Sequence, residues 1–220
     1  MGGTKFFRYG KKEIDYLKSR DKKLATVIDA VGPIRREMDR DLFSSVVRHI
    51  VGQQISSKAL AAVWGRLKEG LGAVDAAAVL GAGEERLHSF GMSFRKAEYI
   101  SDFARKIADG EFSLSALKKM NDAEAIAALS SLKGIGVWTA EMILLFCMER
   151  PDVLSFGDLA IHRGLRMVYR HREITKARFE RYRRRYSPYG SVASLYLWAV
   201  SGGALPGVTD PAERNRGGKS

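Results

Sequence analysis

Leu132-Lys133-Gly134-Ile135-Gly136-Val137-Trp138-Thr139-Ala140 is the stretch on which the fold of this 220-residue chain turns. Two glycines stand one residue apart. The pattern predicts a helix ending at Leu132, a tight turn, and a new helix from near Thr139. Glycine tolerates positive φ and lets backbone approach closely. The turn can therefore present its amides, with the N-terminus of the next helix, to an anion such as a phosphate. An ordinary corner between two helices needs the same glycines, and Gly-x-Gly alone does not separate the two readings.

The sequence on either side is helical in period. Ile14, Leu17, Leu24, Val27, Ile28 and Val31 recur at three- and four-residue steps, and Gly32-Pro33 stops that predicted helix. Leu42, Phe43, Val46, Val47, Ile50 and Val51 mark a second helix. Ser56 is a good N-cap for a third, carrying Leu60, Val63, Trp64 and Leu67. Ser93 and Asp122 are placed to cap two more, and further helices are predicted over 139–148, 158–169, 175–185 and 191–201. No sustained period-two run stands out, so the fold class is all-α. The domain expectation is one unit over 1–205, made of two intertwined helical lobes. Residues 206–220, rich in glycine and charge, are expected to form a flexible tail.

Composition narrows the function classes. Apolar residues are 45% and charged residues 28%, which excludes disorder as the main state. Lys plus Arg number 37 against 25 Asp plus Glu, a net charge of +12, which favours a polyanionic partner, nucleic acid before an anionic membrane. The single cysteine, Cys147, excludes an intramolecular disulfide framework, a zinc ribbon and a four-cysteine iron–sulfur cluster within this sequence. A reducing compartment is expected, cytoplasmic or, in a eukaryote, nuclear. The uncharged stretch 186–209 is broken by Ser, Gly and Pro and reads as a buried helix rather than a membrane span. The segment 162–186 carries ten Lys/Arg against Glu173 and Glu180, either a solvated face or a phosphate-facing flank.

Asp158 follows Ser155-Phe156-Gly157 just ahead of a predicted helix, where Asp is commonly an N-cap. Taken with the double-glycine turn and with Val51-Gly52-Gln53-Gln54-Ile55-Ser56, it resembles the helix-hairpin-helix superfamily of DNA glycosylases, and most nearly the 3-methyladenine DNA glycosylase II family. Gly91-Met92-Ser93-Phe94-Arg95-Lys96-Ala97, Ser187-Pro188-Tyr189-Gly190-Ser191 and Tyr196-Leu197-Trp198 extend the resemblance over most of the chain. It implies an active site in a cleft between the lobes and Asp158 as the catalytic carboxylate. Trp138 and Trp198 become walls of a base pocket, although aromatic residues in helices also serve as core. DNA contacts are implied at Gln53, Gln54, Lys133, Gly134, Ile135, Gly136, Val137 and Thr139, with Gln54 at the place of the wedge that fills the gap left by a flipped base. The wedge is polar here, and no β-rich domain precedes Tyr16, which implies a compact version. A Na+ or K+ among the carbonyls of Ser130, Leu132 and Ile135 is also implied; no other cofactor is expected.

The same resemblance bears on the reaction. Bifunctional members carry a lysine at the place of Trp138, where it forms a Schiff base. The expected activity is therefore monofunctional excision of alkylated purines from double-stranded DNA, by a monomer, with water as nucleophile. Alternatives are a glycosylase for oxidised or deaminated bases and a non-catalytic DNA-binding module. The chemistry suits these residue types: an alkylated purine is cationic and stacks well on indole faces, and a carboxylate stabilises an oxocarbenium-like sugar. Negative charge is favoured at a helix N-terminus, so capping and catalysis by Asp158 are compatible.

Overall fold

Asp21 divides what the spacing reads as one helix. In the computed structural model, which describes residues 5–212, α1 (Lys11–Arg20) ends there and α2 (Lys22–Val31) begins. The Asp21 backbone is extended (φ −150°, ψ 108°), and its Oδ1 accepts from the amides of Lys23 and Leu24, each at 3.0 Å. A short carboxylate offers the backbone local hydrogen bonds that compete with helix continuation. The expectation of a single helix is corrected on that ground.

The described residues otherwise form ten more helices and one minimal ladder. They are α3 (Leu42–Gly52), α4 (Ser57–Leu71), α5 (Ala76–Ser89), α6 (Phe94–Ala108), α7 (Leu114–Lys119), α8 (Asp122–Ser130), α9 (Val137–Phe146), α10 (Leu159–Tyr169), α11 (Lys176–Tyr186) and α12 (Gly190–Ser201). The ladder pairs β1 (Lys5–Phe6) with β2 (Glu37–Met38), two residues each, so the all-α class stands. Ser56, Ser93 and Thr175 cap α4, α6 and α11 through amides three residues on. The cap of α8 is corrected by one residue: Asn121 and Glu124 form a reciprocal capping box, and Asp122 is the first helical residue. Two helices have no counterpart in the spacing. Ala and Gly crowd the first half of α5, with Gly83 at φ +73° inside it, and α7 has only six residues.

The chain folds as two compact units: residues up to Met38 with those from Glu149 onward, and Asp39–Met148. In the second unit, α3 buries Val46, Val47, Ile50 and Val51 completely and packs against α4, α6 and α9. Each such aliphatic side chain contributes about 1.5–3 kcal/mol. In the first unit, α10 lies on α12. A Cβ on Gly164 would overlap the backbone carbonyl of Leu197, so glycine is what permits this approach. The uncharged stretch forms α12, whose Ser191 and Ser194 hydroxyls are satisfied by backbone carbonyls. No helix among the described residues is long and apolar enough to cross a membrane.

Of the segment expected to form a flexible tail, residues 206–212 are described and make contacts of their own. Residues 213–220 lie outside the described residues. Before them, Asp210 is buried (1% exposed), takes Arg166 Nε at 2.9 Å, and accepts from the Ala212 amide. Arg170 donates to the Thr209 carbonyl. Composition does not register one buried ion pair, and one suffices to tie this segment to α10.

Candidate active site

The double-glycine turn is held by its backbone. α8 ends at Ser130, the Ser131 amide donates back to Ala127 O, and the Ile135 amide closes the turn on Leu132 O at 3.1 Å. Gly134 sits at φ +79°, and a Cβ there would run into the Tyr99 ring. Gly136 is extended (φ −91°, ψ 172°) and caps α9 without a side chain, so α9 starts at Val137 rather than near Thr139. The first intrahelical bond runs from the Ala140 amide to Gly136 O, which leaves the amides of Val137, Trp138 and Thr139 ahead of the hydrogen-bond ladder.

The side chains of the site residues expected around the turn divide by exposure. Leu132, Ile135 and Thr139 are buried, so their contribution at a surface is through backbone. Val137 is 57% and Trp138 46% exposed, against the core reading for Trp138. Lys133 extends toward α6, with Nζ 3.3 Å from Asp102 and 3.5 Å from Glu98, and these carboxylates hold its ammonium above the usual range. The side-chain Nε2 of Gln53 donates to Gly134 O, which makes this residue a strut between the α3–α4 loop and the turn. Gln54 is exposed with φ +55°, a left-handed conformation costing an ordinary residue about 1–2 kcal/mol. Lys96 completes the brace by donating to the carbonyls of Val51 (2.8 Å) and Gln53 (2.7 Å) at the end of α3. Burial holds its ammonium below the ordinary value. The sequence did not single out Lys96 for this part: its two partners lie more than forty residues away.

Asp158 and Trp198 belong to the other unit. Asp158 caps α10, its Oδ1 accepting from the amides of Ala160 (2.9 Å) and Ile161 (3.0 Å), and it is 7% exposed. Its flanks are apolar: Leu159 is 84% exposed, and Phe156 packs edge-on against Phe179 at 5.1 Å. His162, one turn along α10, stacks on Phe179 and meets Phe156 edge-on. Burial lowers its imidazole below the usual range and Arg166 adds to this, while the Phe156 carbonyl and Asp158 oppose it. A neutral ring in an aromatic cage disfavours the salt bridge that the four-residue spacing allows. Lys176 Nζ lies 4.2 Å over the Phe156 ring. Trp198 is half-buried on α12, whose position is set by the close approach at Gly164.

The expected residues thus form two groups, the turn with its struts on one unit and the capped carboxylate with Trp198 on the other. Residues 47–188, which contain both the turn and Asp158, match the HhH-GPD superfamily base excision DNA repair protein family. This chain belongs to that superfamily. Trp198 lies beyond the matched residues. The DNA-3-methyladenine glycosylase 1 of Schizosaccharomyces pombe is 28% identical over 194 residues, covering 82% of this chain and 81% of that protein. Among solved structures, the HhH-GPD chain resembles a DNA-3-methyladenine glycosidase from Bacillus halodurans, with a TM-score of 0.80 and 32% identity over 90% of this chain and 93% of that one. A 3-methyladenine DNA glycosylase of Schizosaccharomyces pombe in complex with abasic DNA gives a TM-score of 0.76 and 26% identity, over 89% of this chain and 99% of that one.

Proposed function

We propose that this HhH-GPD protein is a monofunctional DNA glycosylase that excises alkylated purines, of the 3-methyladenine and 7-methylguanine type, from double-stranded DNA. The observation that carries the reading is Asp158: a buried carboxylate anchored by two amides at a helix N-terminus, inside the segment that matches the superfamily. Both of these amide bonds fall on Oδ1, which anchors that oxygen. From there it stabilises positive charge developing on the sugar and orients or deprotonates the attacking water. The cationic base is a good leaving group and needs little protonation. The duplex must first release it from the stack, at a cost of about a few kcal/mol.

The turn supplies the grip on the backbone. Its first-turn amides and the α9 dipole suit a phosphate oxygen. Gln53 and Lys96 hold the turn and the end of α3 in register, and Gln54 enters the gap left by the base. Trp138 and Trp198 offer indole faces, each worth about 0.5–2 kcal/mol to a stacked cation. The carbonyls of Ser130, Leu132 and Ile135 are neutral hard oxygens between the end of α8 and the start of α9, and Leu132 O keeps a second lone pair beside its bond to the Ile135 amide, a donor set that fits Na+ or K+. Bound there, the ion would add positive charge beside the phosphate. Trp138 in place of a lysine supports water, not an amine, as the nucleophile.

Base release from duplexes carrying defined lesions, read by heat-and-alkali cleavage, tests this function. Methylated purines are expected to be released, with strand breaks only after alkali and no borohydride-trapped adduct. Release of oxidised bases alone would move the protein to another substrate class, and efficient trapping would make it bifunctional.

A further inference from the structure

The chemistry above uses nothing from the most basic stretch of the chain. In the structure, Arg181, Arg184 and Arg185 of α11 meet Arg20 at the end of α1, and with Ser19 they line an open cavity of about 330 Å³. No carboxylate is part of the lining. Positions 181, 184 and 185 lie three and four residues apart, on one face of α11. The cluster is anchored from below: Asp21, 3% exposed at its side chain, takes Arg185 Nη1 at 2.5 Å with the oxygen not used to cap α2. Arg185 also lies 5.4 Å over the Tyr182 ring. Arg20, Arg181 and Arg184 are exposed.

Helix dipoles explain only part of this. Arg20, Arg184 and Arg185 stand in the last turns of their helices, where cations are favoured. Arg181 stands in the middle of α11 and adds like charge to a crowded site. Asp21 balances Arg185, but Arg20, Arg181 and Arg184 bring three further guanidiniums to the cavity, which repel one another until an anion joins them, and their forked donors match phosphate oxygens. A lipid surface is the poorer fit. None of the large exposed apolar side chains (Ile55, Leu80, Phe94, Val137, Trp138, Phe156 and Leu159) lines the cavity, so nothing there would enter a bilayer.

We propose that the Arg20–Arg181–Arg184–Arg185 cavity is a second phosphate site, separate from the glycine turn, that takes the backbone of duplex DNA. The inference rests on duplex DNA being the substrate. It makes recognition bipartite, because the turn binds through amides and this site binds through guanidiniums.

The test is the salt dependence of binding to an undamaged duplex by the full chain. Each phosphate contact contributes about 0.9 to the slope of log affinity against log salt. Arg181→Gln/Arg184→Gln, which spares the Arg185–Asp21 pair, should lower the slope by about 1–2, and Arg20→Gln by about 1. Lys11→Gln/Lys12→Gln, at the opposite end of α1, removes the same charge outside the cavity and should leave the slope unchanged. An unchanged slope in a folded Arg181→Gln/Arg184→Gln chain, or an equal fall in the Lys11/Lys12 variant, would overturn the proposal. Inorganic phosphate at matched ionic strength is the second arm. If it raises the melting temperature of wild type but not of the variant, while the duplex slope stays the same, the cavity binds a small anion and the duplex contact is wrong. Single-turnover excision at saturating enzyme reads the glycosylase reaction separately, and Arg181→Gln/Arg184→Gln should retain it. No base release by the wild-type chain, with the slope still lower in Arg181→Gln/Arg184→Gln, would refute the glycosylase and leave this site standing.

Discussion

The glycine turn and the Asp158 cap are both helix N-termini, and they are built in opposite ways. At the start of α9 the cap is Gly136, without a side-chain bond, and the residues that set its shape are Gly134 and the distant braces Gln53 and Lys96. At the start of α10 the cap is a side chain, Asp158, and its surroundings are aromatic. An uncapped helix start keeps its amides for an outside anion. A helix start capped by a carboxylate brings its own anion. Substitutions should therefore act through backbone shape at the first and through charge at the second.

Asp158→Asn should separate the two most strongly. Asn caps about as well as Asp, so thermal stability should hold, while single-turnover excision should fall by about 10²–10³. Near wild-type excision would reduce Asp158 to a cap.

Glycine substitutions come next, and they should act on different properties in the two units. Gly164→Ala meets the Leu197 backbone and should cost about 1–3 kcal/mol in denaturant unfolding. Gly134→Ala, at φ +79° against the Tyr99 ring, should cost about 1–2 kcal/mol and weaken binding to every duplex alike. A folded Gly134→Ala chain with unchanged duplex affinity would take the turn out of the interface.

The two tryptophans test exposure. Trp138→Ala should change stability little, since the side chain is 46% exposed, yet slow excision of cationic purines more than it weakens binding to an abasic duplex. Trp198→Ala should carry a larger stability loss because the residue is half-buried on α12. The smallest effect is expected for Lys133→Met. Asp102 and Glu98 already share its ammonium, so duplex affinity should move less than for either glycine variant in a direct titration.

Much of the helical frame was legible because it rests on local chemistry. Ser56, Ser93 and Thr175 cap where hydroxyl residues precede an apolar period. Asp21 shows where that method stops: the apolar period runs straight through the break, and the residue that cuts it is fixed by Arg185, far along the chain. α5 shows no period because the Ala and Gly of its first half carry too little apolar contrast.

The sequence by itself determined the helical class, the positions of most helix starts, and the two glycines and one aspartate that define the candidate site, since each depends on a few neighbouring residues. Only the tertiary structure decided which expected contact residues point outward. Thr139 and Ile135 turned in, Gln53 and Lys133 found partners on other elements, and Trp138 stayed exposed. It also gathered four arginines from α1 and α11 around one cavity and tied Asp210 to Arg166. These outcomes rest on contacts between residues distant in sequence, where packing and ion pairing choose the partner and local spacing carries no signal.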